Sequence, residues 1–369
     1  MFRPILIGVA QLVLFVTAAC LPGFGAESQE RLSGRLRHEY AQIRDMECVY
    51  DHVALPTDAT VVPLVHRLYQ ASPHLQALGK VQDCIFTVEN AAAQSRRCHW
   101  YRKGSMERLS VFELTENVRT GIPRTTYAFD GQIKRQVNYK DIDGKRRGSV
   151  ATADSADWRR IHRDNPWGFL FSYREIPYWK LVKEAAEFRG EDVQRDGTVV
   201  HRYTFRAPKL LRYKFVLLFD ALGRLLEREV WYDILNGPEE IQQRFLFGEY
   251  RAHPLRSGET LHFPHRVTKE GILGRLHDDR VVVTNVTNFK ILEIQFNQDI
   301  PDNLFELEIP PDVEVWDGIN HTGWIAPGAP LPKPPSNRTW PRYVVIGSAV
   351  LLALSLFGWA AWRRRRIAA

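Results

Sequence analysis

The sequence predicts a mainly β (α+β) protein, in which an antiparallel sheet is covered by helices, with one transmembrane helix near the C-terminus. Three observations support this prediction. Most of the central chain alternates apolar and polar residues with a period of two. The alternating segments are separated by turn signals and not by helical crossovers, which argues against a parallel doubly wound sheet. A long run without charged residues lies close to the C-terminus.

The N-terminal segment, residues 1–26, has the layout of a secretory signal peptide. Arg3 precedes a short apolar stretch, and small residues follow a Pro-Gly break. Cleavage after Gly25 or Ala26 is expected. A lipoprotein alternative also stays open, because the residues up to Cys20 loosely resemble a lipobox, although Thr17 stands where a branched apolar residue is usual.

The first strong helix prediction in the remaining chain covers Ser28 to Asp45, where Leu32, Leu36, Tyr40 and Ile43 follow one another at helical spacing. Two further segments, residues 58–79 and the aromatic-rich residues 164–186, interrupt the strands and are predicted to be partly helical. These helices are expected to cover one face of the sheet.

The predicted strands occupy most of the chain between and after these helices. Asp130-Gly131, Asp196-Gly197 and Ser257-Gly258 mark turns between several of them. The strand segments are residues 46–51, 84–88, 98–102, 107–114, 125–129, 134–139, 187–194, 199–206, 213–219, 225–232, 241–250, 261–269 and 280–296.

Two strand segments, Phe215 to Phe219 and Val281 to Val283, are apolar on both faces. A strand with one wet face would alternate, so these strands are enclosed on both sides. Either ordinary core packing or the wall of a ligand cavity explains this pattern. The candidate residues for lining an apolar ligand are Trp167, Phe169, Phe171, Phe215, Leu217 and Phe219.

Residues 343–362 form a run of twenty residues without charge, long enough to cross the bilayer as a helix. Aromatic residues stand at both ends, and Arg363 to Arg366 follow, which predicts a cytoplasmic tail at residues 363–369. A cleaved C-terminal sorting signal is an alternative, but residues 331–335 do not match the LPxTG motif.

The layout is therefore an exported domain at residues 27–317, a Pro-rich stalk at 318–342, the anchor and the short tail. This predicts a single-pass protein of the cell membrane, with its domain in the periplasm or on the extracellular face. The formal net charge of +7 fits this layout, because Arg3 and the four C-terminal arginines account for five charges and +2 remains for the rest. The domain is nearly neutral, so no nucleic-acid partner is predicted.

Signatures of common enzyme and metal sites are absent from the sequence. It contains no GxSxG, GxxxxGK[ST] or HExxH motif, so no catalytic residue, cofactor or metal ligand is predicted and a hydrolase is disfavoured. His262 and His265 would point to opposite faces of a strand, and His277-Asp278-Asp279 fits a polar turn better than a cation site. Cys48, Cys84 and Cys98 allow at most one disulfide, and the sequence leaves open whether it forms.

Several segments together resemble the outer-membrane lipoprotein carrier and receptor superfamily (LolA/LolB-like). They are an N-terminal helix and first strand, then residues 100–108, 127–131, 218–220 and 297–310. The resemblance covers most of residues 28–317. It implies an antiparallel half-barrel of about ten or eleven strands closed by helices, with a hydrophobic cavity for acyl chains.

The resemblance implies a binding function, with two forms left open. In the first, the concave face holds a lipid or the acyl chain of a lipoprotein. In the second, the domain is an envelope sensor or protein-interaction module without a ligand cavity. The predicted anchor, which a soluble carrier lacks, suits this second form at least as well.

Overall fold

The computed structural model describes residues 26–142, 145–152, 165–174, 176–210, 212–233, 239–276, 280–325 and 329–330. Residues 1–25 of the predicted signal peptide, residues 331–342 of the predicted stalk, and the predicted anchor and tail at 343–369 lie outside the described residues. Within the described ranges, no helix has the length and apolar character needed to cross a bilayer.

Six α-helices lie in the described ranges, all short except the first. The helices are α1 (Gln29–Ala41), α2 (Val62–Ala71), α3 (Pro73–Leu78), α4 (Val88–Gln94), α5 (Pro166–Leu170) and α6 (Tyr178–Lys183). Three 3₁₀ turns lie at Val81–Cys84, Pro208–Leu210 and Asp302–Phe305. The helices predicted at 28–45, 58–79 and 164–186 thus correspond to α1, to α2 with α3, and to α5 with α6.

The strands form one large curved sheet and one two-stranded ribbon. The first half of the chain contributes β1 (Asp45–Leu55), β2 (Arg96–Lys103), β3 (Met106–Phe112), β4 (Thr125–Phe129), β5 (Ile133–Ile142) and β6 (Lys145–Thr152). The ribbon pairs β7 (Ser172–Tyr173) with β8 (Ile176–Pro177). The second half contributes β9 (Glu187–Arg195), β10 (Thr198–Arg206), β11 (Tyr213–Phe219), β12 (Leu225–Asp233), β13 (Glu239–Pro254), β14 (Thr260–Arg275), β15 (Val281–Phe296), β16 (Glu314–Asp317), β17 (Thr322–Ile325) and β18 (Ala329–Pro330).

The strand order of the large sheet is β18-β17-β16-β6-β5-β4-β3-β2-β1-β15-β14-β13-β12-β11-β10-β9. Neighbouring strands pair antiparallel except β16 with β6, which run parallel. The first strand, β1, lies in the middle because it pairs with β2 on one side and with the last long strand, β15, on the other. We call β9–β15 the far wing and β2–β6 with β16–β18 the C-terminal wing.

The expected number of ten or eleven strands is wrong, because the sheet already contains 16 strands within the described residues. The four strands without a matching prediction are β6 and β16–β18, all in the C-terminal wing. β6 begins with Lys145-Arg146-Arg147 and shows no clear alternation, and β16–β18 have only two to four residues each. The sheet therefore continues past residue 317, into the segment where the sequence predicted a stalk.

The predicted strand at 84–88 is also wrong. Cys84 ends a 3₁₀ turn, in which the Asp83 carboxylate accepts a hydrogen bond from the Lys80 backbone N–H at 2.8 Å. Thr87 then caps α4 by accepting from the Asn90 N–H at 3.2 Å. Local side-chain capping thus favours helical turns over the strand that the apolar alternation suggested.

The far wing buries the face of the sheet that the helices cover. Residues paired across antiparallel strands project to the same face. Phe215 pairs with Phe205 and Val230, and Arg228 pairs with Leu217 and Phe245, so all of these lie on the helix-covered face. Helices α1, α5 and α6 pack against these side chains in the main core.

The outer strands of the C-terminal wing, β4–β6 and β16, bury the opposite face, whereas Trp100 of β2 and Leu109 of β3 still belong to the main core. Ala128, Val137 and Val315 project away from the helices and pack with Leu307 and Val313 of the chain segment that follows β15. Gly148 of β6 leaves room for this segment, because an added Cβ would lie 3.2 Å from Val313 Cγ1 and 3.1 Å from the Gln136 carbonyl oxygen. A third, smaller cluster holds α2 and α3 against Leu276 and Val282 at the β14–β15 turn.

Candidate functional site

The six residues predicted to line an apolar site lie together in the core of the far wing. Trp167 and Phe169 belong to α5, and Phe171 is its C-cap. Phe215, Leu217 and Phe219 alternate along β11 and project to the helix-covered face. All six side chains are buried in the same hydrophobic cluster. The two segments, more than 40 residues apart in sequence, therefore face each other across the core.

Helix α5 is short, and polar contacts at both ends fix its position. The Asn165 side-chain oxygen accepts from the Gly168 N–H at 2.7 Å, and Pro166 occupies the first turn, where no N–H is needed. At the C-terminal end, the Phe171 N–H donates to the Trp167 carbonyl at 2.9 Å. A single turn with a tight cap at each end directs Trp167 and Phe169 into the core.

Arg228 of β12 ties α5 to the sheet. Its guanidinium Nη1 donates to the carbonyl oxygens of Gly168 at 3.2 Å and Phe169 at 3.1 Å, and also to the Tyr178 hydroxyl. The side chain is only 3% exposed, and its guanidinium carbon lies 3.7 Å from the centre of the Phe245 ring. Because a buried guanidinium needs partners, these contacts hold the short helix in one place.

Aromatic contacts fill the centre of this core. The Phe169 ring centre lies 4.5 Å from that of Phe289 and 5.3 Å from that of Phe245. The Phe215 ring lies 5.2 Å from Phe205 and 5.0 Å from Tyr173. Side chains of the protein itself therefore surround Phe169 and Phe215.

Trp167 connects α5 to α1 and to the central strands. Its ring centre lies 4.8 Å from Tyr40 and 4.6 Å from Phe171, and the Arg102 guanidinium carbon lies 3.7 Å from the ring centre. Arg102 also donates to the Tyr40 hydroxyl at 3.2 Å. Trp167 thus packs between an aromatic ring and a cation, an arrangement that stabilises the contact between helix and sheet.

A pocket of about 250 Å³ opens beside this core, between α1 and the turns at one end of the far wing. Phe171, Leu217 and Phe219 line it, whereas Trp167, Phe169 and Phe215 do not. The other lining residues are Leu36, Glu39, Gln42, Leu170, Tyr178, Leu222, Gly223, Arg224, Leu225, Tyr250, Thr260, Leu261 and His262. The structure thus divides the predicted set into three residues of a pocket wall and three of the packed core.

The mouth of the pocket combines ionic groups with an exposed apolar side chain. Arg224 pairs with Asp220 at 2.6 Å, and Glu39 pairs with Arg35 at 3.3 Å. Burial raises the pKa of Glu39 above its ordinary value, an effect larger than the opposing attraction of Arg35. Leu222, in the β11–β12 turn, also lines the pocket and is 75% exposed.

The inner wall of the pocket is fixed by Tyr250. Its hydroxyl donates to the Leu225 carbonyl at 2.5 Å, and burial raises its pKa well above the ordinary value. The Tyr250 hydroxyl therefore stays protonated as a donor, and the Arg224 guanidinium carbon lies 5.5 Å from the centre of the Tyr250 ring.

The sequence prediction missed several wall residues. Leu36 was recognised only as part of the apolar stripe of a helix, and Leu222 and Leu225 belong to a turn and a strand start without a distinctive pattern. Leu261, on the β13–β14 hairpin, is far from the others in sequence. Only the fold brings these segments together, so no local signal marks them as a set.

Histidines form a pair that sequence spacing did not indicate. His265 is buried and His262 exposed, so these two residues point to opposite faces, as predicted. His265 instead meets His253 of β13, with 3.1 Å between the two Nε2 atoms. The pair lacks a third ligand: within the described ranges, no three His, Cys, Asp or Glu side chains are grouped to hold a metal ion. His277 to Asp279 lie outside the described residues.

All three cysteines of the described chain are free thiols. Cys48 and Cys98 are buried side by side on β1 and β2, on the helix-covered face. Burial raises the pKa of both thiols, which keeps them protonated and unreactive. They act as small apolar core residues.

Comparisons with known proteins give structural matches only. No protein-family model matches the chain, and a search of the curated proteins finds no match. A DUF1329 family protein from Desulfovibrio piger shares 11% identity, with a TM-score of 0.42, over 75% of this chain and 95% of its own. A domain described as an outer membrane lipoprotein-sorting protein from Vibrio parahaemolyticus shares 12%, with a TM-score of 0.39, over 75% and 97%.

A LolA superfamily protein from Nitrosomonas europaea shares 10% identity, with a TM-score of 0.37, over 74% of this chain and 96% of its own. DUF1329 and LolA superfamily proteins thus stand among the solved structures to which this chain is similar.

Proposed function

We propose that this protein is an exported, membrane-anchored binding domain that takes an apolar chain, such as the acyl chain of a lipid or lipoprotein, into the pocket of the far wing. The observation that supports this proposal is the pocket itself. Leu36, Leu217, Phe219 and Leu261 give it apolar walls, and it opens to solvent beside the exposed Leu222.

The size of the pocket limits what it accepts. A volume of about 250 Å³ lies below the ~300–1,000 Å³ typical of sites that enclose a whole drug-sized ligand. We therefore propose that it holds one segment of a chain, while the rest of the ligand stays outside the mouth. There the ion pairs of Arg224 with Asp220 and of Arg35 with Glu39 offer both signs of charge to a polar headgroup.

The cellular placement is part of the proposal and is supported by sequence alone. Residues 1–26 match a secretory signal, and residues 343–362 with the following arginines match a span whose C-terminus is cytoplasmic. This arrangement would hold the domain outside the cytoplasm, close to a source of lipids.

Lipid retention by the full-length protein tests the proposal. The chain is extracted from its own membrane in mild detergent, washed through detergent exchange, and the lipid that remains bound is counted by mass spectrometry. Leu222→Glu places a carboxylate at the mouth, where an entering apolar chain would have to desolvate it. We expect severalfold less retained lipid from this variant than from the wild type.

Ile122→Glu is the matched control. Ile122 is 69% exposed, close to the 75% of Leu222, but lies in the β3–β4 loop of the C-terminal wing. The proposal predicts that this variant retains lipid like the wild type. Equal loss in both variants, or no stoichiometric lipid in the wild type, would overturn it.

A protein-interaction or sensor module of the same fold is the second candidate. It is favoured by one observation: Trp167, Phe169 and Phe215 are enclosed by the protein's own side chains, so much of the helix-covered face is already filled. A wild-type protein without bound lipid that is crosslinked in its membrane to one defined envelope protein would support this candidate.

A further inference from the structure

The C-terminal edge of the sheet carries an exposed apolar and basic surface that the proposed pocket does not use. Trp316 of β16 is 55% exposed, and Ile319, in the β16–β17 turn, is 39% exposed. Lys145 and Arg147 at the start of β6 are exposed and project to the same face as Trp316. We call these four residues the edge patch.

Strand register places the apolar and basic groups of the edge patch next to each other. β16 runs parallel to β6, with Glu314 opposite Arg147 and Trp316 opposite Ser149. Trp316 and Arg147 therefore project from the same face of adjacent strands, as diagonal neighbours. Lys145 is neutralised by Glu314 at 2.7 Å, but Arg147 forms no ion pair with any described residue.

The turn that carries Ile319 is held rigidly. The Asp317 carboxylate accepts hydrogen bonds from the backbone N–H groups of Ile319 at 2.8 Å and Asn320 at 3.1 Å, and from the Asn320 side chain at 2.8 Å. The Gly318 N–H donates to the Val150 carbonyl at 2.8 Å, which fastens the turn to β6. Ile319 is thus presented outward by a fixed loop.

The chain leaves the described domain at this same edge. β18 pairs with β17, with Pro330 opposite Trp324, and Trp324 pairs in turn with Val315 of β16. Twelve residues, 331–342, separate Pro330 from the predicted span. Because an extended residue covers at most about 3.5 Å, the exit point lies within about 40 Å of the bilayer.

We propose that the edge patch contacts the surface of the bilayer in which the chain is anchored, with Trp316 and Ile319 at the interface and Arg147 against anionic phospholipid headgroups. This inference rests on the anchoring part of the proposed function. Tryptophan favours the membrane interface because its ring is apolar and its N–H is polar. Two apolar side chains bind a membrane weakly alone, and a short tether compensates by raising their effective concentration at the surface.

The contact gives the domain an orientation. The pocket lies on β11–β14, at the other end of the strand order from β16–β18. With the C-terminal edge of the sheet on the membrane, the pocket lies in the far wing, which is the part of the sheet farthest in strand order from the anchor.

Fluorescence quenching in nanodiscs tests this inference on the full-length protein. The chain is inserted into discs of phosphatidylcholine and phosphatidylglycerol with brominated acyl chains, which quench only tryptophans at the bilayer. If Trp316 contacts the bilayer, Trp316→Phe removes a quenched emitter and lowers the quenched fraction of the total emission. Trp231→Phe, in the far wing, removes an unquenched emitter and raises that fraction.

Backbone exchange provides a second readout that does not depend on a tryptophan variant. Hydrogen exchange of residues 314–325 is expected to slow severalfold in discs containing phosphatidylglycerol, compared with discs of phosphatidylcholine alone, and to recover in high salt. Equal exchange in both discs, together with a rise of the quenched fraction in Trp316→Phe, would overturn the inference while leaving the pocket proposal standing.

Retention in the disc after an alkaline wash separates the two proposals. A chain that washes out has no anchor, and then the bilayer contact and the anchoring part of the proposed function both fail. A chain that stays in the disc and shows the contact, but carries no lipid in its pocket, contradicts only the lipid-binding proposal.

Discussion

The far wing and the outer strands of the C-terminal wing, β4–β6 and β16, bury opposite faces of the sheet. In the far wing, Phe215, Phe245 and Phe289 lie under α5 and its neighbours on the helix-covered face. In the C-terminal wing, Val137 and Val315 lie on the other face, under the chain segment that follows β15. One continuous sheet therefore has two cores, and the side that is apolar changes from one wing to the other.

The exposed faces differ accordingly. On the outer face of the far wing, Arg244 pairs with Glu227 at 3.2 Å, Glu229 at 3.4 Å and Glu270 at 3.3 Å, a network at partly exposed positions. On the helix-covered side of the outer strands of the C-terminal wing, polar side chains such as Gln136 and Asn138 of β5 replace the phenylalanines. Ligand binding is therefore expected in the far wing, and surface contacts in the C-terminal wing.

The largest expected effect on stability comes from removing a buried aromatic ring from the far-wing core. Phe169→Ala removes a ring that contacts Phe245 and Phe289, and we expect the free energy of unfolding to fall by about 3–5 kcal/mol. Urea denaturation followed by circular dichroism measures this change. Trp316→Ala, an aromatic truncation on the same side of the C-terminal wing, is expected to cost under about 1 kcal/mol because Trp316 is exposed. Similar losses in both variants would contradict the proposed difference between the wings.

A smaller loss of stability is expected when the hydrogen bonds from Arg228 to α5 are removed. Arg228→Met keeps an apolar stem of similar length but leaves the Gly168 and Phe169 carbonyls and the Tyr178 hydroxyl without their donor. We expect the free energy of unfolding to fall by about 1–3 kcal/mol. Hydrogen exchange is expected to quicken first in residues 166–171, and uniform quickening across the sheet would argue against a specific role in holding α5.

The packing of the C-terminal-wing core is tested by comparing alanine substitutions at two glycines. Gly148→Ala pushes a methyl group towards Val313 Cγ1 at 3.2 Å and the Gln136 carbonyl, which overpacks the contact between β6 and the C-terminal segment. We expect a loss of about 1 kcal/mol, at the low end of the range for overpacking, by urea denaturation. Gly248→Ala in β13 is the matched control, since nothing lies within 4 Å of its added Cβ. A Gly148→Ala protein as stable as this control would show that the segment is not tightly packed.

Much of the far wing could be predicted from the sequence, because its strands are long and regular. The apolar run Phe215 to Phe219 indicated an enclosed strand, and Val216 is indeed buried on the outer face as well. The aromatic segment around Trp167 and Phe169 was correctly expected to cover the sheet. Alternation over seven or more residues is a strong local signal, and packing did not override it.

The C-terminal wing and the pocket could not be predicted in the same way. β16–β18 are too short to show a period, and β6 is stabilised by pairing with β5 and β16 rather than by its own Lys-Arg-Arg sequence. The pocket wall combines Leu36, Leu222, Leu225 and Leu261 from four segments that only the sheet order brings together. Long-range strand pairing determines these strands and the pocket wall, and no local sequence pattern indicates them.

The smallest predicted effect concerns acid, and it should arise in the far wing. Burial lowers the pKa of both His253 and His265 below the ordinary value of 6.5, with Arg251 adding to the effect on each. The neighbouring His262 lowers the pKa of His253 further, while Glu249 partly opposes the shift of His265. The unfolded chain therefore takes up protons at a higher pH than the folded one. The stabilising contribution of the pair is complete above pH 6.5 and is lost as the pH falls towards the folded pKa values.

Replacing one member of the pair isolates this contribution. In His265→Gln the side chain no longer titrates. Its amide can still form a hydrogen bond with the His253 ring, whose Nε2 lies 3.1 Å from the His265 Nε2 in the wild type. We expect the free energy of unfolding of the wild type to decline more steeply between pH 6.5 and 5.5 than that of the variant. Urea denaturation at a series of pH values gives both slopes, and acidic side chains common to both proteins cancel in the difference. Parallel slopes would mean that the histidine pair is protonated as easily in the folded protein as in the unfolded chain. The acid sensitivity of the far wing would then have to come from other groups.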